Sequence, residues 1–126
     1  MNGVILYKCG QNINRAYRLC YTFGVHDLFL LDCDTAKTGN VFSAKDKVTI
    51  HHVDSLDGFF KVAALEKGKG VPIDATIADY DYILVGGENV TLTNKMASKF
   101  YHIDTQNSLC LTVDEALAIG LHYATR

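Results

Sequence analysis

The chain begins with a β-α-β pattern, and this feature limits the possible folds more than any other. Residues 3–7 (GVILY) form a short apolar run, typical of a strand that is buried on both faces. A helix is predicted to start at Gln11-Asn12 and to end at Gly24, because apolar residues recur between them at spacings of three and four. Residues 26–31 (HDLFLL) indicate a second strand. Two strands joined by a helix are normally parallel, with a right-handed crossover.

The rest of the sequence continues this alternation. Its pattern predicts an irregular loop at 32–46, a strand at 48–53, and a helix that is capped by Ser55 and ended by 67–70. These are followed by a weak strand at 71–77, a buried strand at 82–85, a short helix at 93–97 and a strand at 101–103. The apolar stripe of the helix after Ser55 consists of Leu56, Phe59, Phe60, Ala63 and Ala64. We therefore predict one α/β domain over 1–126, an open parallel sheet with helices on both faces.

The last predicted helix has the clearest local signals. Thr112 and Glu115 form a capping box, in which each side chain binds a free backbone amide of the other residue. Residues 116–124 are apolar on nearly every side of the helix. A helix that is apolar all round must be buried all round, so we expect one of its faces to contact another subunit.

Charge and hydropathy limit the functions that can be expected. The net charge is −2, so no basic face of the kind common in RNA-binding domains is visible in the composition. The N-terminus lacks the features of a secretory signal, and no apolar run approaches the roughly 20 residues of a membrane span. We expect a soluble, cytoplasmic protein that does not enter the membrane.

The cysteines do not form a metal-binding or disulfide framework. No CxxC pair occurs, and the cysteines and histidines lack the spacing of zinc ligands. We expect reduced thiols and no metal site. The four cysteines are Cys9, Cys20, Cys33 and Cys110.

Ligands of an open parallel sheet gather beyond the carboxyl ends of the strands. Three segments fall at that edge, namely 8–18, 86–89 and 104–110. No GxGxxG follows the first strand, and no GxxxxGK[ST] occurs in the chain. The sequence therefore lacks the usual motifs of dinucleotide-binding and nucleoside-triphosphate-binding sites.

These three segments resemble the three motifs of the SpoU-like (TrmH-type) branch of the SPOUT RNA methyltransferases. Residues 12–18 (NINRAYR) resemble the family's N-I-G-x-x-x-R, and residues 83–89 (ILVGGEN) resemble its apolar strand running into G-x-E. Residues 108–113 (SLCLTV) resemble its S-L-N-x-S-x, which leads into an apolar last helix. The order and spacing of the motifs agree over nearly the whole chain.

The resemblance implies both an architecture and an activity. The family fold is an α/β knot, in which the C-terminal segment forms a trefoil knot, and the family forms homodimers through its first and last helices. Its members transfer a methyl group from S-adenosyl-L-methionine to a ribose 2′-hydroxyl of structured RNA. No appended RNA-binding domain is visible in the sequence. The resemblance is therefore greatest to the minimal members that modify tRNA.

The resemblance also implies roles for particular residues. It assigns catalytic roles to Asn12, Arg18, Glu88 and Ser108, and cofactor contacts to Gly86, Gly87, Ile103, Ser108 and Leu109. Arg18 would bind an RNA phosphate and orient the 2′-hydroxyl, because a guanidinium stays protonated and cannot act as a base. Asn12 and Ser108 would set hydrogen-bond geometry.

Each of these residues also has an ordinary structural explanation. Arg18 lies off the apolar stripe of its helix and can be a solvated side chain, and Asn12 suits a helix N-cap. Residues 86–89 can form a strand-ending turn, and Ser108 can be a loop residue.

The sequence departs from the family pattern at several positions. Cys110 stands where the family has asparagine, Asp104 where it has proline, and Asn14 where it has glycine. Asp104 places a carboxylate near the expected pocket, where it can attract a sulfonium or cap a turn. These changes leave open a non-catalytic knotted relative that binds RNA or protein, and an unrelated flavodoxin-like binder of nucleotide or phosphate.

Overall fold

Seven parallel strands form one sheet in the computed structural model, which describes residues 1–34, 47–107 and 110–125. The strands are β1 (Gly3–Tyr7), β2 (Asp27–Leu31), β3 (Thr49–Val53), β4 (Val62–Leu65), β5 (Val71–Pro72), β6 (Tyr82–Gly86) and β7 (Lys99–His102). The α-helices are α1 (Ile13–Thr22) and α2 (Val113–Ala124), and short 3₁₀ turns cover Ala75–Asp79 and Asn94–Met96. The strand order is β3-β2-β1-β6-β4-β7-β5.

The register of the sheet places the carboxyl ends of its central strands side by side. Tyr7 at the end of β1 lies opposite Leu31 of β2 on one side and Gly86 of β6 on the other. The chain proceeds outward from β1 to β3, and it later returns to the opposite side of β1 as β6. The strand order therefore reverses at β1, and such a point is where parallel sheets bind ligands.

Both α-helices cover the same face of the sheet. Alternate residues of β1, such as Val4 and Leu6, are fully buried in one core cluster that also contains Ile13 of α1 and Leu117 of α2. The opposite face, centred on Ile5, is covered by non-α-helical segments that contribute Leu56, Phe59, Val90, Leu92 and Met96. Within the described ranges, the prediction of helices on both faces is therefore wrong.

The helix predicted after Ser55 is the largest error. Its region contains β4, a central strand whose four residues are all buried between β6 and β7. Gly58 and Lys61 adopt positive φ angles of 87° and 55°, which a right-handed helix does not allow, and Phe60 is 74% exposed. A short apolar run can suit either a helix or a buried strand, and here the strand gains neighbours on both sides.

The other elements follow the predicted order with shifted bounds. The strands expected at 3–7, 26–31, 48–53, 82–85 and 101–103 are confirmed as β1, β2, β3, β6 and β7, and the first and last helices are confirmed as α1 and α2. The weak strand at 71–77 shortens to β5 and a 3₁₀ turn, since Pro72 cannot donate to a ladder. The helix expected at 93–97 is a single 3₁₀ turn. Most of the loop at 32–46 lies outside the described residues.

The capping box of α2 is confirmed. The Thr112 amide donates to Glu115 Oε1 at 2.9 Å, and the Glu115 amide donates to Thr112 Oγ1 at 3.4 Å. These bonds fix the point where the chain leaves the loop after β7 and enters α2.

We predict that Thr112→Ala lowers the free energy of unfolding by about 1 kcal/mol, because the Glu115 amide loses its acceptor. Thr112→Ser keeps the hydroxyl and should retain most of the stability. Urea unfolding followed by circular dichroism measures both variants. Equal stability of the alanine and serine variants would contradict a role for the cap.

Candidate functional site

A cavity of about 560 Å³ lies beyond the carboxyl ends of β4, β6 and β7. This volume falls within the roughly 300–1,000 Å³ that is typical of small-molecule sites. Its described walls come from three loops, one after each strand. The lining residues fall in 65–67, 85–92 and 103–116.

Four of the predicted site residues meet in this cavity. Gly86, Gly87, Glu88 and Ile103 all line it. Ser108 and Leu109 lie outside the described residues. The predicted second and third motifs are thus brought together, with Cys110 to Val113 continuing the wall of the third.

Gly87 joins this cavity to the end of β1. Its amide donates to the Tyr7 carbonyl at 2.8 Å, and a Cβ on Gly87 would lie 2.2 Å from the Lys8 carbonyl oxygen. Only glycine lets the two backbones approach so closely. The first motif segment therefore touches the cavity rim through Lys8 and Cys9 rather than through its helix.

Asn12 and Arg18 lie outside the lining of the cavity. Asn12 is half-buried directly before α1, but its side chain makes no capping hydrogen bond, so the N-cap explanation does not account for it. Arg18 is exposed on α1, and its backbone carbonyl accepts a hydrogen bond from the Thr22 hydroxyl at 2.9 Å. The first motif thus flanks the cavity, and the other two form it.

Arg15, in the first motif segment, connects α1 to the start of α2. Its Nη1 lies 3.2 Å from Oδ2 of Asp114, and the Asp114 side chain is only 15% exposed. Burial raises the pKa of the Asp114 carboxyl, but hydrogen bonds from Thr112 and Arg15 outweigh this effect and hold the pKa below its ordinary value. The ion pair thereby holds the N-terminal ends of both helices together.

Glu66 and Lys69 support the cavity and were not found by the sequence analysis. Both carboxylate oxygens of Glu66 accept from the Leu92 amide, at 3.1 and 3.2 Å, and Lys69 Nζ donates to the Leu92 carbonyl at 2.8 Å. The same ammonium lies 4.1 Å from the centre of the Phe100 ring. Both polar groups of the Leu92 backbone are therefore held by one short segment after β4, which we call the Glu66–Lys69 clamp.

The described lining combines apolar walls with a negative balance of charge. Leu65, Val85 and Leu92 are apolar, whereas Glu66 and Glu88 supply two carboxylates against the single ammonium of Lys67. Such a lining suits a ligand that has an apolar portion and a cationic centre.

Asp104 does not add to that charge. Its Oδ1 pairs with His102 Nε2 at 3.1 Å, and Asp104 is absent from the described lining. The Asp104 carboxylate is thereby held at the end of β7, outside the described lining.

Two further properties concern the described residues as a whole. In 1–34, 47–107 and 110–125, no group of three or more histidine, cysteine, aspartate or glutamate side chains is placed to hold a metal ion. Over the same ranges, no helix is long and apolar enough to cross a membrane.

Solved structures of SpoU-type RNA methyltransferases share this fold. The SpoU methyltransferase AviRb from Streptomyces viridochromogenes, in complex with AdoMet, matches with a TM-score of 0.76 and 14% identity over 98% of this chain. The TrmH/SpoU tRNA modifying enzyme of A. aeolicus matches with a TM-score of 0.72 and 21% identity, over 99% of this chain and 75% of the enzyme. A structure concerning the 2-OH methylation of C/U34 on tRNA matches with a TM-score of 0.75 and 17% identity, over 98% of this chain and 88% of that one.

These matches establish the fold and confirm, at that level, the resemblance read from the three motifs. The chain spans only 58% of the length of AviRb. No protein-family model matches the sequence, and no curated protein matches it either. The fold likeness is therefore visible in three dimensions and not in overall sequence similarity.

We predict that Glu66→Ala raises the rate of amide hydrogen exchange at Leu92 about tenfold. A partly buried hydrogen bond to a charged acceptor contributes about 1.5 kcal/mol or more, and the variant loses it. Glu66→Gln keeps one oxygen acceptor and should show a smaller increase. Hydrogen–deuterium exchange read by mass spectrometry measures the 87–92 peptides. Unchanged exchange in the alanine variant would mean that the clamp does not hold this loop.

Proposed function

We propose that the chain is an S-adenosyl-L-methionine-dependent RNA 2′-O-ribose methyltransferase that acts as a homodimer on structured RNA, with tRNA as the substrate. The observation that carries this proposal is the 560 Å³ cavity, which the loops after β4, β6 and β7 form in a SpoU-type fold. The residues of the predicted G-x-E motif line that cavity. The cytoplasmic location expected from the sequence stays a prediction.

The lining fits the proposed cofactor. S-adenosyl-L-methionine supplies an electrophilic methyl group on a positively charged sulfur when it is bound. Glu66 and Glu88 would hold that charge by electrostatic attraction, while Leu65, Val85 and Leu92 would bury the apolar parts of the ligand. AviRb, which has this fold, was solved with the same cofactor.

The order of the strands supports the trefoil knot that the resemblance implies. The chain forms β5 at one edge of the sheet, crosses to the centre as β6, and then returns as β7 between β4 and β5. Insertion of a late strand between two earlier ones is compatible with threading of the segment that follows it, and the resemblance to the knotted family supplies the expectation of a knot. We propose that the segment after β7 is threaded in this way.

The first motif segment supplies positive charge for RNA. Residues 8–18 contain three exposed cations, Lys8, Arg15 and Arg18, and no acidic residue. Lys8 pairs with Asp32 and Arg15 with Asp114, so Arg18 is the main source of this positive charge. A local cationic surface beside the cavity binds phosphates even where the net charge of the chain is slightly negative. The acidic balance of the whole chain is thus compatible with a local RNA contact.

Arg18 and Asn12 would act on the RNA side of the reaction. Arg18 would bind a phosphate of the target nucleotide and orient its 2′-hydroxyl toward the cavity, since a guanidinium cannot accept the hydroxyl proton. Loss of that proton would be assisted through the phosphate. The Asn12 amide, which makes no capping bond, is available to set the hydrogen-bond geometry of the ribose, a role that we also assign to Ser108.

We predict that Arg18→Ala lowers methyl transfer to tRNA about 100-fold, as expected for the loss of a positioning cation, with an unchanged cofactor dissociation constant. Arg18→Lys should retain part of the rate, and Lys47→Ala, an exposed lysine outside the proposed site, should retain all of it. Transfer of labelled methyl groups and calorimetric titration with the cofactor measure the two quantities.

The results distinguish the proposal from its alternatives. Cofactor binding without label in any RNA would favour a knotted binding module over an enzyme. Absence of both would contradict the proposed function. Equal rates for wild type and Arg18→Ala would remove Arg18 from the mechanism.

The surface of α2 supports the proposed homodimer. Ala118 and Ile119 are apolar yet only half-buried within the chain, whereas Leu117 and Leu121 are fully buried. A second copy on this surface would cover the apolar residues that the chain leaves accessible.

We predict that Ile119→Glu converts a dimer into a monomer, because a carboxylate would be buried in the proposed interface. Light scattering after size-exclusion chromatography should give twice the 13.9 kDa chain mass for wild type and 13.9 kDa for the variant. Asn94→Glu, which places the same charge on the opposite face of the sheet, should stay dimeric. A monomeric wild-type protein would contradict the proposal.

A further inference from the structure

Cys9 and Cys33 lie side by side where β1 and β2 end. Strand pairing continues beyond the strands, since the Lys8 amide donates to the Leu31 carbonyl at 3.0 Å and the Asp34 amide donates to the Cys9 carbonyl at 2.9 Å. The Cys9 amide lies 3.4 Å from Cys33 Sγ and donates to it. The two cysteines are thus neighbours across the sheet, although 24 positions separate them in sequence.

Two left-handed residues turn both thiols to the same side. Lys8 and Asp32 precede the cysteines, have φ angles of 54° and 52°, and pair with each other at 4.0 Å. Ordinary alternation after Tyr7 and Leu31 would direct Cys9 and Cys33 to the face that lacks α-helices. Instead Cys9 is buried in the core on the face of the sheet that α1 covers, and Cys33 packs against the same core.

These conformations cost energy, because residues other than glycine avoid positive φ. Strained backbone of this kind concentrates at functional sites. Its consequence in this chain is specific, since the two kinks at equivalent positions of neighbouring strands bring two thiols together.

We propose that Cys9 and Cys33 form a reversible disulfide when the protein meets a peroxide, which makes this pair a redox modification site. The inference rests on the strand geometry, the paired kinks and the contact of the two residues. It does not depend on the proposed methyltransferase activity.

The environments of the two sulfurs assign them different roles. Hydrogen bonding from Cys9 lowers the pKa of the half-buried Cys33 thiol to about 7, so Cys33 ionises more readily than Cys9. The same hydrogen bond, together with burial, raises the pKa of Cys9. Cys33 is therefore the attacking sulfur, and Cys9 is the resolving thiol.

The reaction balances with one peroxide for each pair. The Cys33 thiolate attacks one oxygen of hydrogen peroxide, the O–O bond breaks, and the departing hydroxide takes a proton to give water and a sulfenic acid. The Cys9 sulfur then attacks Cys33 Sγ, the S–O bond breaks, and the hydroxide leaves as a second water with the Cys9 proton. The two thiols lose two electrons to the peroxide, and an added dithiol reverses the step by thiol–disulfide exchange.

The other two cysteines serve as internal controls. Cys20 is fully buried in α1, and burial raises its pKa to about 12. Cys110 is exposed beside the cavity after β7, on the other side of β1 from Cys33.

The test is stoichiometric oxidation of the reduced wild-type protein with hydrogen peroxide, followed by blocking of free thiols and peptide mapping. We expect loss of two of the four free thiols, a Cys9–Cys33 cross-linked peptide and full recovery with dithiothreitol. Cys9→Ser should instead accumulate a Cys33 sulfenic acid, which dimedone traps, whereas Cys33→Ser should leave Cys9 unmodified. Cys110→Ser should form the same disulfide as wild type.

Two results would overturn the proposal. One is retention of both thiols after oxidation, and the other is a cross-link that joins a different pair. The mapping succeeds or fails whether or not the chain binds S-adenosyl-L-methionine, so its outcome is separate from that of the proposed function. If a serine variant does not fold, the wild-type peptide map alone decides.

Discussion

The contact between the end of β1 and the turn after β6 is the constraint on which the rest of the site depends. The Gly87 amide binds the Tyr7 carbonyl, and the Lys8 carbonyl occupies the space that a Gly87 side chain would need. This junction sets the rim of the cavity on one side. On its other side it fixes Cys9, whose sulfur lies 4.0 Å from the Val85 carbonyl. The cavity and the thiol pair are therefore two consequences of one close approach between neighbouring strands.

The remaining walls of the cavity are held by polar contacts on both sides of it. On the helical side, the Arg15–Asp114 pair joins the starts of α1 and α2, and the capping box determines where α2 begins. On the other side, the Glu66–Lys69 clamp binds both backbone groups of Leu92. The polar backbone groups of such a loop already have hydrogen-bond partners, so the loop keeps its shape without a ligand. This supports a cavity that is formed before a ligand binds.

The sequence predicted those parts of the molecule whose local signals agree with their tertiary surroundings. Strands β1 and β6 are apolar runs that are buried on both faces, and α2 carries its own start signal, so each was found. Strand β4 was missed because the spacing of the apolar residues before and within it also fits a helix, and only its neighbours β6 and β7 decide between the two. The same error hid Glu66, whose role depends on Leu92, 26 positions away. A contact at that separation leaves no periodic trace.

The departures from the family pattern have unequal weight once the side chains are placed. Asp104 pairs with His102 and stays outside the described lining, so its carboxylate does not add to the charge of the cavity. Cys110 does line the cavity, where a thiol replaces an amide that can accept one hydrogen bond and donate two. Electrostatic attraction by Glu66 and Glu88 does not require that amide. Under the proposed function, the thiol at Cys110 would therefore bear on the orientation of the reacting groups more than on cofactor affinity.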